Sequence, residues 1–287
     1  MRTVFLGTSE FAAAVLRILA ASAHRPSLVI TRPDRPRGRG RQLTPPPVAE
    51  AARALGIELH QPASVNDDDA RARIAEVTPE AICVCAFGAL IKEPLLSDHL
   101  MLNVHPSLLP RWRGAAPIER AIMAGDEQTG VSIMRVTAGL DSGPVCAQVA
   151  EPIRPDDTYG MLAGRLQPLG GELLIRVLDD SPPCRDQDDA LATYAEKITP
   201  EDRRLDPSRP AAELERVVRA LSPHVGAYVE LDDGMRLGVT WARAVAAGEG
   251  GGPPAITCAD GELQLLSVKP PGRREMSGEE WLRGLRR

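Results

Sequence analysis

This sequence of 287 residues has no long apolar run. No stretch approaches the ~18 consecutive apolar residues of a membrane span. The opening Met1-Arg2-Thr3-Val4-Phe5-Leu6-Gly7 is too short an apolar run for a signal peptide. A soluble, cytoplasmic protein is therefore expected. Cysteine is sparse and without pattern: Cys83 and Cys85 share one apolar stretch, and Cys146, Cys184 and Cys258 are scattered. With no C-x-x-C and no Cys/His spacing suited to zinc, no metal site is expected. The odd count reads as reduced thiols of a cytosol. The dinucleotide fingerprint G-x-G-x-x-G is missing, since Gly7-Thr8-Ser9 does not meet it, so nicotinamide binding is not indicated. Nor is there an internal repeat, a coiled-coil heptad or an excess of positive charge. The net charge of -5 argues against a protein that coats nucleic acid non-specifically, while leaving room for a local basic patch.

What is present has α/β character. Val4-Phe5-Leu6 predicts a buried strand, and Ser9 a helix cap. Phe11, Val15, Ile18 and Leu19 repeat at helical spacing, and Ser27 to Thr31 predicts a second strand. A strand, helix and strand in that space form a right-handed parallel unit. The pattern continues through Ile82-Cys83-Val84-Cys85-Ala86, an apolar run typical of a strand buried on both faces. Met101 to His105, Val131 to Val136 and Val145 to Val149 complete the sheet, and residues 159 to 178 predict a closing helix that contains Gly164 and Pro168. A Pro- and Asp-rich stretch from Asp179 to Asp189 reads as a loop leading toward a linker. Beyond it come an amphipathic helix around Leu214 to Leu221 and two hairpin signals, Asp233-Gly234 and Asp260-Gly261, with Gly248 to Pro254 as a flexible connection. The length also suits two domains. The expected division is an α/β domain over 1–190, a linker over 191–207 and a small β-rich domain over 208–287.

Ligands of open parallel sheets bind beyond the carboxyl ends of the strands. Asn103 and His105 sit two apart on one predicted strand, so both point to one face. Gly139-Leu140-Asp141-Ser142-Gly143 lies in a later turn. Together Asn103, His105 and Asp141 suit acyl chemistry: an amide to donate to an oxyanion, an imidazole to handle a proton, and a carboxylate to orient the imidazole. Each also has an ordinary use, as a structural strand Asn, a satisfied His at a strand end and a turn-forming Asp. Spacing alone leaves both readings open.

The strings Asn103-Val104-His105-Pro106-Ser107-Leu108-Leu109-Pro110 and Arg111-Trp112-Arg113-Gly114-Ala115-Ala116-Pro117-Ile118, with Gly139 to Gly143 downstream, resemble the signature of the folate-dependent formyltransferase family. Gly7 to Phe11 resembles its first turn, Pro33 to Gly40 its arginine-rich insertion, Ala192 to Thr199 its domain connection, and Lys269 to Arg283 the end of its second domain. The resemblance spans nearly the whole chain and is strongest to the branch that acts on charged initiator tRNA. It implies a Rossmann-like parallel-sheet formyltransferase domain joined to a C-terminal OB-type β-barrel domain. It further implies 10-formyltetrahydrofolate as donor, the α-amino group of initiator methionyl-tRNA as acceptor, no metal, and a monomer. By motif match, Asn103, His105 and Asp141 take the catalytic positions. Ser107, Leu108, Leu109 and Pro110 line the folate site, to which the run containing Phe87 and Gly88 offers backbone. Arg35, Arg37, Arg39 and Arg41 then become candidate tRNA contacts, where without the resemblance a solvated loop would serve as well.

The sequence departs from the family pattern in three places. Ser142 and Pro144 stand where Thr and Asp are common, Ser222 to Gly226 lacks an aromatic residue often found there, and the C-terminal domain is short. Two alternatives share these residues: a sugar-nucleotide formyltransferase, which would not need the arginine-rich loop, and a non-catalytic RNA-binding module with a vestigial folate pocket.

Overall fold

Every residue of Thr3–Gly7 is buried, as a strand covered on both faces requires. In the computed structural model, which describes residues 1–37, 40, 42–231, 233–246 and 253–285, this run is β1 of a seven-stranded sheet. Its partners are β2 (Pro26–Ile30), β3 (Glu58–His60), β4 (Ala81–Cys85), β5 (Met101–His105), β6 (Gln128–Arg135) and β7 (Val145–Pro152). The order across the sheet is β7-β6-β5-β4-β1-β2-β3. Helix α1 (Glu10–Ala20) follows β1 at once, started by Ser9, whose hydroxyl accepts from the Ala12 N–H at 3.2 Å. It buries Phe11, Val15, Leu16 and Leu19. Cys83 and Cys85 are buried strand residues, and burial pushes the Cys83 thiol up to about 12 and raises that of Cys85 as well. Their role is packing.

β1 pairs in parallel with β2 and β4, β2 with β3, and β4 with β5. The chain thus winds to one side of β1 through β2 and β3 and to the other through β4 and β5. The border between β1 and β4 is a topological switch point, the usual place for a ligand crevice. The expectation of a parallel sheet fails at one strand: β6 runs antiparallel to β5, pairing Asn103 with Met134 and His105 with Ser132. A buried apolar run gives no direction, so this reversal was not legible in the composition of β6.

Two further differences have local causes. Arg35–Arg37 and Gln42–Thr44 form a two-stranded antiparallel ribbon rather than a plain loop, with Arg35 opposite Thr44. Arg39 and Arg41 lie outside the described residues. The five cysteines are not all unpaired: Cys146 and Cys184 form a disulfide. An antiparallel bridge between Val145 and Arg185 puts the adjacent residues 146 and 184 opposite one another, though they are 38 apart in sequence. The closing helix forms as expected, over Tyr159–Asp180 with Pro168 inside it.

The chain forms two compact units, the first comprising 1–115, 129–151 and 164–194. Residues 116–128 and 152–163, which the sequence assigns to the first domain, cluster with 195–287 instead. One of these segments contains helix α2 (Pro117–Ala124), and the other holds the start of helix α3 (Tyr159–Asp180). α2 joins this unit through side chains: Arg120 forms a two-pronged pair with Asp202 at 2.8 and 2.9 Å, which holds the Asp202 carboxyl below its ordinary range.

The second unit is built on helix α4 (Ala211–Leu221) against β8 (Ala227–Glu230), β9 (Arg236–Val245), β10 (Ala255–Thr257) and β11 (Glu262–Lys269). The strands are paired antiparallel in the order β8-β9-β11-β10, and the short strand Met276–Ser277 adds to β11. Leu214, Val217, Val218 and Leu221 of α4 pack with Val229, Leu237, Val239, Leu263, Leu265 and Val268, all buried. Each such side chain contributes about 1.5–3 kcal/mol. The second hairpin has an additional task, since Asp260 in its turn accepts from the Ala211 N–H at 2.8 Å and caps α4. No helix among the described residues is long and apolar enough to cross a membrane.

Candidate active site

The period of a strand places Asn103 and His105 on one face at the carboxyl end of β5. The turn between β6 and β7 brings Asp141 to them. Its carboxylate is half-buried and accepts the Gly114 N–H at 2.9 Å through Oδ2. Asn103 Nδ2 lies 3.5 Å from Asp141 Oδ1, and His105 Nδ1 lies 3.7 Å from Oδ2. The three side chains from two distant stretches thus converge. Asp141 has φ 46, a left-handed conformation that Asp adopts more readily than most residues.

The imidazole is 4 % exposed and its tautomer follows from its partners. Nε2 is 2.8 Å from the Trp112 carbonyl, which can only accept, so Nε2 carries a proton. In the neutral ring the lone pair is then on Nδ1, facing Asp141. Asn103 has two amide hydrogens; with one directed to Asp141, the other is free to donate elsewhere.

The segment after His105 is fixed by a buried polar network. Ser107, fully buried, donates to the Arg111 carbonyl at 2.6 Å, while its own carbonyl accepts from the Ser132 hydroxyl at 2.6 Å. Ser132 also accepts from the Leu109 N–H, and Gln148 donates to both the Leu109 carbonyl and Ser132 at 2.9 Å. Ser107 and Leu109 are therefore committed to holding the loop. Leu109 and Pro110 line a cavity of about 470 Å³ with residues 145–148, 182–183 and 185–188. Leu108 reaches toward Gly130, where an added Cβ would lie 2.6 Å from its Cδ2. Phe87 and Gly88 lie just past the carboxyl end of β4, at the switch point. The Phe87 ring is packed in the core, and its carbonyl accepts from the Thr8 hydroxyl at 2.8 Å. Gly88 has φ 69 and no backbone nearby to fill the space of a side chain.

Two family models match this chain: formyl transferase over residues 1–178, and the formyl transferase C-terminal domain over 197–286. The chain belongs to the formyl transferase family. A relative from Halorhodospira halophila, named methionyl-tRNA formyltransferase, is 42% identical over 301 residues, covering 99% of this chain and 96% of its own length. Among solved structures, methionyl-tRNA formyltransferase from Clostridium thermocellum superposes with a TM-score of 0.62 at 14% identity, covering 87% of this chain and 95% of that one. HypX from Aquifex aeolicus, in complex with tetrahydrofolic acid, superposes with a TM-score of 0.67 at 17% identity over 98% of this chain. This chain spans 47% of HypX. Identities this low establish a common fold and no more.

This formyl transferase is an enzyme of a family whose first model covers both motifs, Asn103 to Pro110 and Gly139 to Gly143. Sequence reasoning missed the groups that support them. Gly114 was seen only as part of a string, not as an N–H donor to Asp141. Trp112 supplies a carbonyl rather than its ring, and no side-chain pattern announces a carbonyl. Ser132 and Gln148 sit on strands read only as apolar. Arg35 is exposed on the ribbon. Among the described residues no group of three or more His, Cys, Asp or Glu is arranged to hold a metal ion.

Proposed function

We propose that this formyl transferase moves the formyl group of 10-formyltetrahydrofolate to the α-amino group of methionyl initiator tRNA, as a monomer in the cytoplasm. The observation that carries the acceptor is the end-to-end match at 42% identity to a relative of that name. The donor supplies an activated one-carbon acyl group, and the protein's residues supply the rest. Asn103 donates its free amide hydrogen to the oxygen that gains charge as the amine attacks. His105 Nδ1 and the Asp141 carboxylate, 3.7 Å apart, hold a single vacant proton position between them. The amine fills that position as it attacks, and the pair returns the proton to the departing nitrogen. Gly88 leaves bare backbone for a flat ring at the switch point, while Leu108 and Pro110 give an apolar wall. Phe87, Ser107 and Leu109 act by fixing those surfaces.

The purified protein, given 10-formyltetrahydrofolate with methionine-charged initiator tRNA or with an amino-sugar nucleotide, is expected to formylate only the tRNA. Transfer to the sugar amine with none to the tRNA would end this reading.

The arginine-rich segment is the proposed RNA contact, through Arg35, Arg37, Arg39 and Arg41. Guanidinium groups suit phosphates and base faces. Each lost phosphate contact lowers the slope of log affinity against log salt by about 0.7–0.9. The four-alanine variant should therefore bind tRNA at least about tenfold more weakly at low salt, with a flatter salt dependence. An unchanged affinity and slope would remove the segment from the interface.

A further inference from the structure

We propose that Gln187 is a positioning residue that holds the Asp141 turn in its working geometry. This rests on the reading of Asp141 as part of the proton-handling pair. Gln187 lies in the Pro- and Asp-rich stretch after α3, where polar residues are usually solvated. Here its side-chain amide is engaged at both ends. Nε2 donates to the Asp141 carbonyl at 2.8 Å and to the Gly143 carbonyl at 2.7 Å. Oε1 accepts from Arg113 Nε at 3.0 Å.

The arrangement selects an amide. Two backbone carbonyls of one turn converge on a single nitrogen, which must bring two hydrogens. The same side chain must also present an acceptor to a guanidinium. Among uncharged side chains only Asn and Gln combine these, and Gln has the longer reach. The guanidinium also fixes which end of the amide is oxygen, because Arg113 has nothing but donors. Arg113 is 3 % exposed and is paired with Asp189 at 2.7 Å, so it is itself held in place. Its buried charge polarises the amide and strengthens both donated bonds. The segment that presents Gln187 is anchored beside it by the Val145–Arg185 bridge.

The turn needs such a hold. Asp141 has positive φ, so the conformation that aims its carboxylate at Gly114, Asn103 and His105 is not one the chain favours unaided. Without the two donated bonds the turn is free to relax, and the 3.7 Å separation from His105 widens. Displacement of a reacting group by about 1 Å costs on the order of 10²-fold in rate.

The test uses two near-isosteric variants of the full chain. Gln187→Leu removes the donors, and Gln187→Glu keeps the acceptor for Arg113 but turns a carboxylate toward two carbonyls. Both are expected to lower kcat about 10- to 100-fold, with KM for tRNA and donor within about threefold of wild type. Gln187→Glu should regain activity relative to wild type as pH falls, because a protonated carboxyl donates again. A double variant with Asp141→Asn should be no slower than Asp141→Asn alone, since Gln187 acts through that residue. Full kcat in either folded variant, or additive losses in the double variant, would overturn the proposal. A crystal structure of Gln187→Leu gives an answer independent of any substrate. Asp141 should leave the Gly114 N–H, and an undisturbed turn would refute the role even if tRNA proved the wrong acceptor.

Discussion

Asp141→Asn is expected to lower single-turnover formyl transfer by about 10²–10⁴ while the protein stays folded. The choice of Asn over Ala matters. Residue 141 has φ 46, where Ala is strained by roughly 1–2 kcal/mol and Asn is tolerated. Asn also keeps an oxygen to accept the Gly114 N–H. The substitution therefore removes the negative charge and the capacity to hold a proton, leaving the turn's shape intact. Asp141→Ala should be slower still or less stable, and the difference between the two variants measures the conformational share. His105 offers the complementary check. Its Nε2–H is occupied by the Trp112 carbonyl, which leaves the Nδ1 lone pair toward Asp141 as the ring position open to a proton. His105→Ala and Asp141→Asn should then cost less together than the product of their separate effects, as groups acting as a unit do. A rate within about threefold of wild type for folded Asp141→Asn would remove the carboxylate from the chemistry.

The partial legibility of this site in the sequence has physical causes. Asn103 and His105 could be paired because a strand has a period of two, and β5 announced itself by apolar residues that stop at a polar end. The strands β1 and β4 were equally plain, since burial on both faces demands continuous apolar runs. The direction of β6 was not, because neither its composition nor its burial depends on which way it runs. The Cys146–Cys184 pair depends on a bridge between residues 40 apart, 145 and 185, which no spacing rule encodes. The ribbon of Arg35–Arg37 and Gln42–Thr44 was hidden by Pro36, which marks loops and strand edges alike. Gln187 was invisible for a different reason. Its partners are two carbonyls and a guanidinium, so its significance lies in atoms that leave no mark on local patterning. Family resemblance could point to Asp141, but it did not say what keeps Asp141 in place.

The two glycines that frame Asp141 should respond very differently to alanine. A Cβ at Gly143 would lie 1.9 Å from the Arg135 carbonyl oxygen, on the backbone of β6. That contact cannot be relieved by a side-chain rotation, because the Arg135 N–H is bonded to the Pro144 carbonyl at 2.9 Å and holds the strands together there. The turn must move by more than about 1 Å, the scale at which rates fall on the order of 10²-fold. Overpacking of this kind also costs about 1–3 kcal/mol of stability. At Gly139 the nearest atom to an added Cβ is the Ser142 hydroxyl at 2.2 Å, the end of a side chain that can rotate away. Gly139→Ala should retain activity within about threefold of wild type, whereas Gly143→Ala loses about a hundredfold in kcat and a few degrees of melting temperature. Measured together, the pair separates crowding against backbone from mere loss of glycine. If Gly143→Ala transferred formyl groups as fast as Gly139→Ala, the position of the Asp141 turn would not be what limits the reaction.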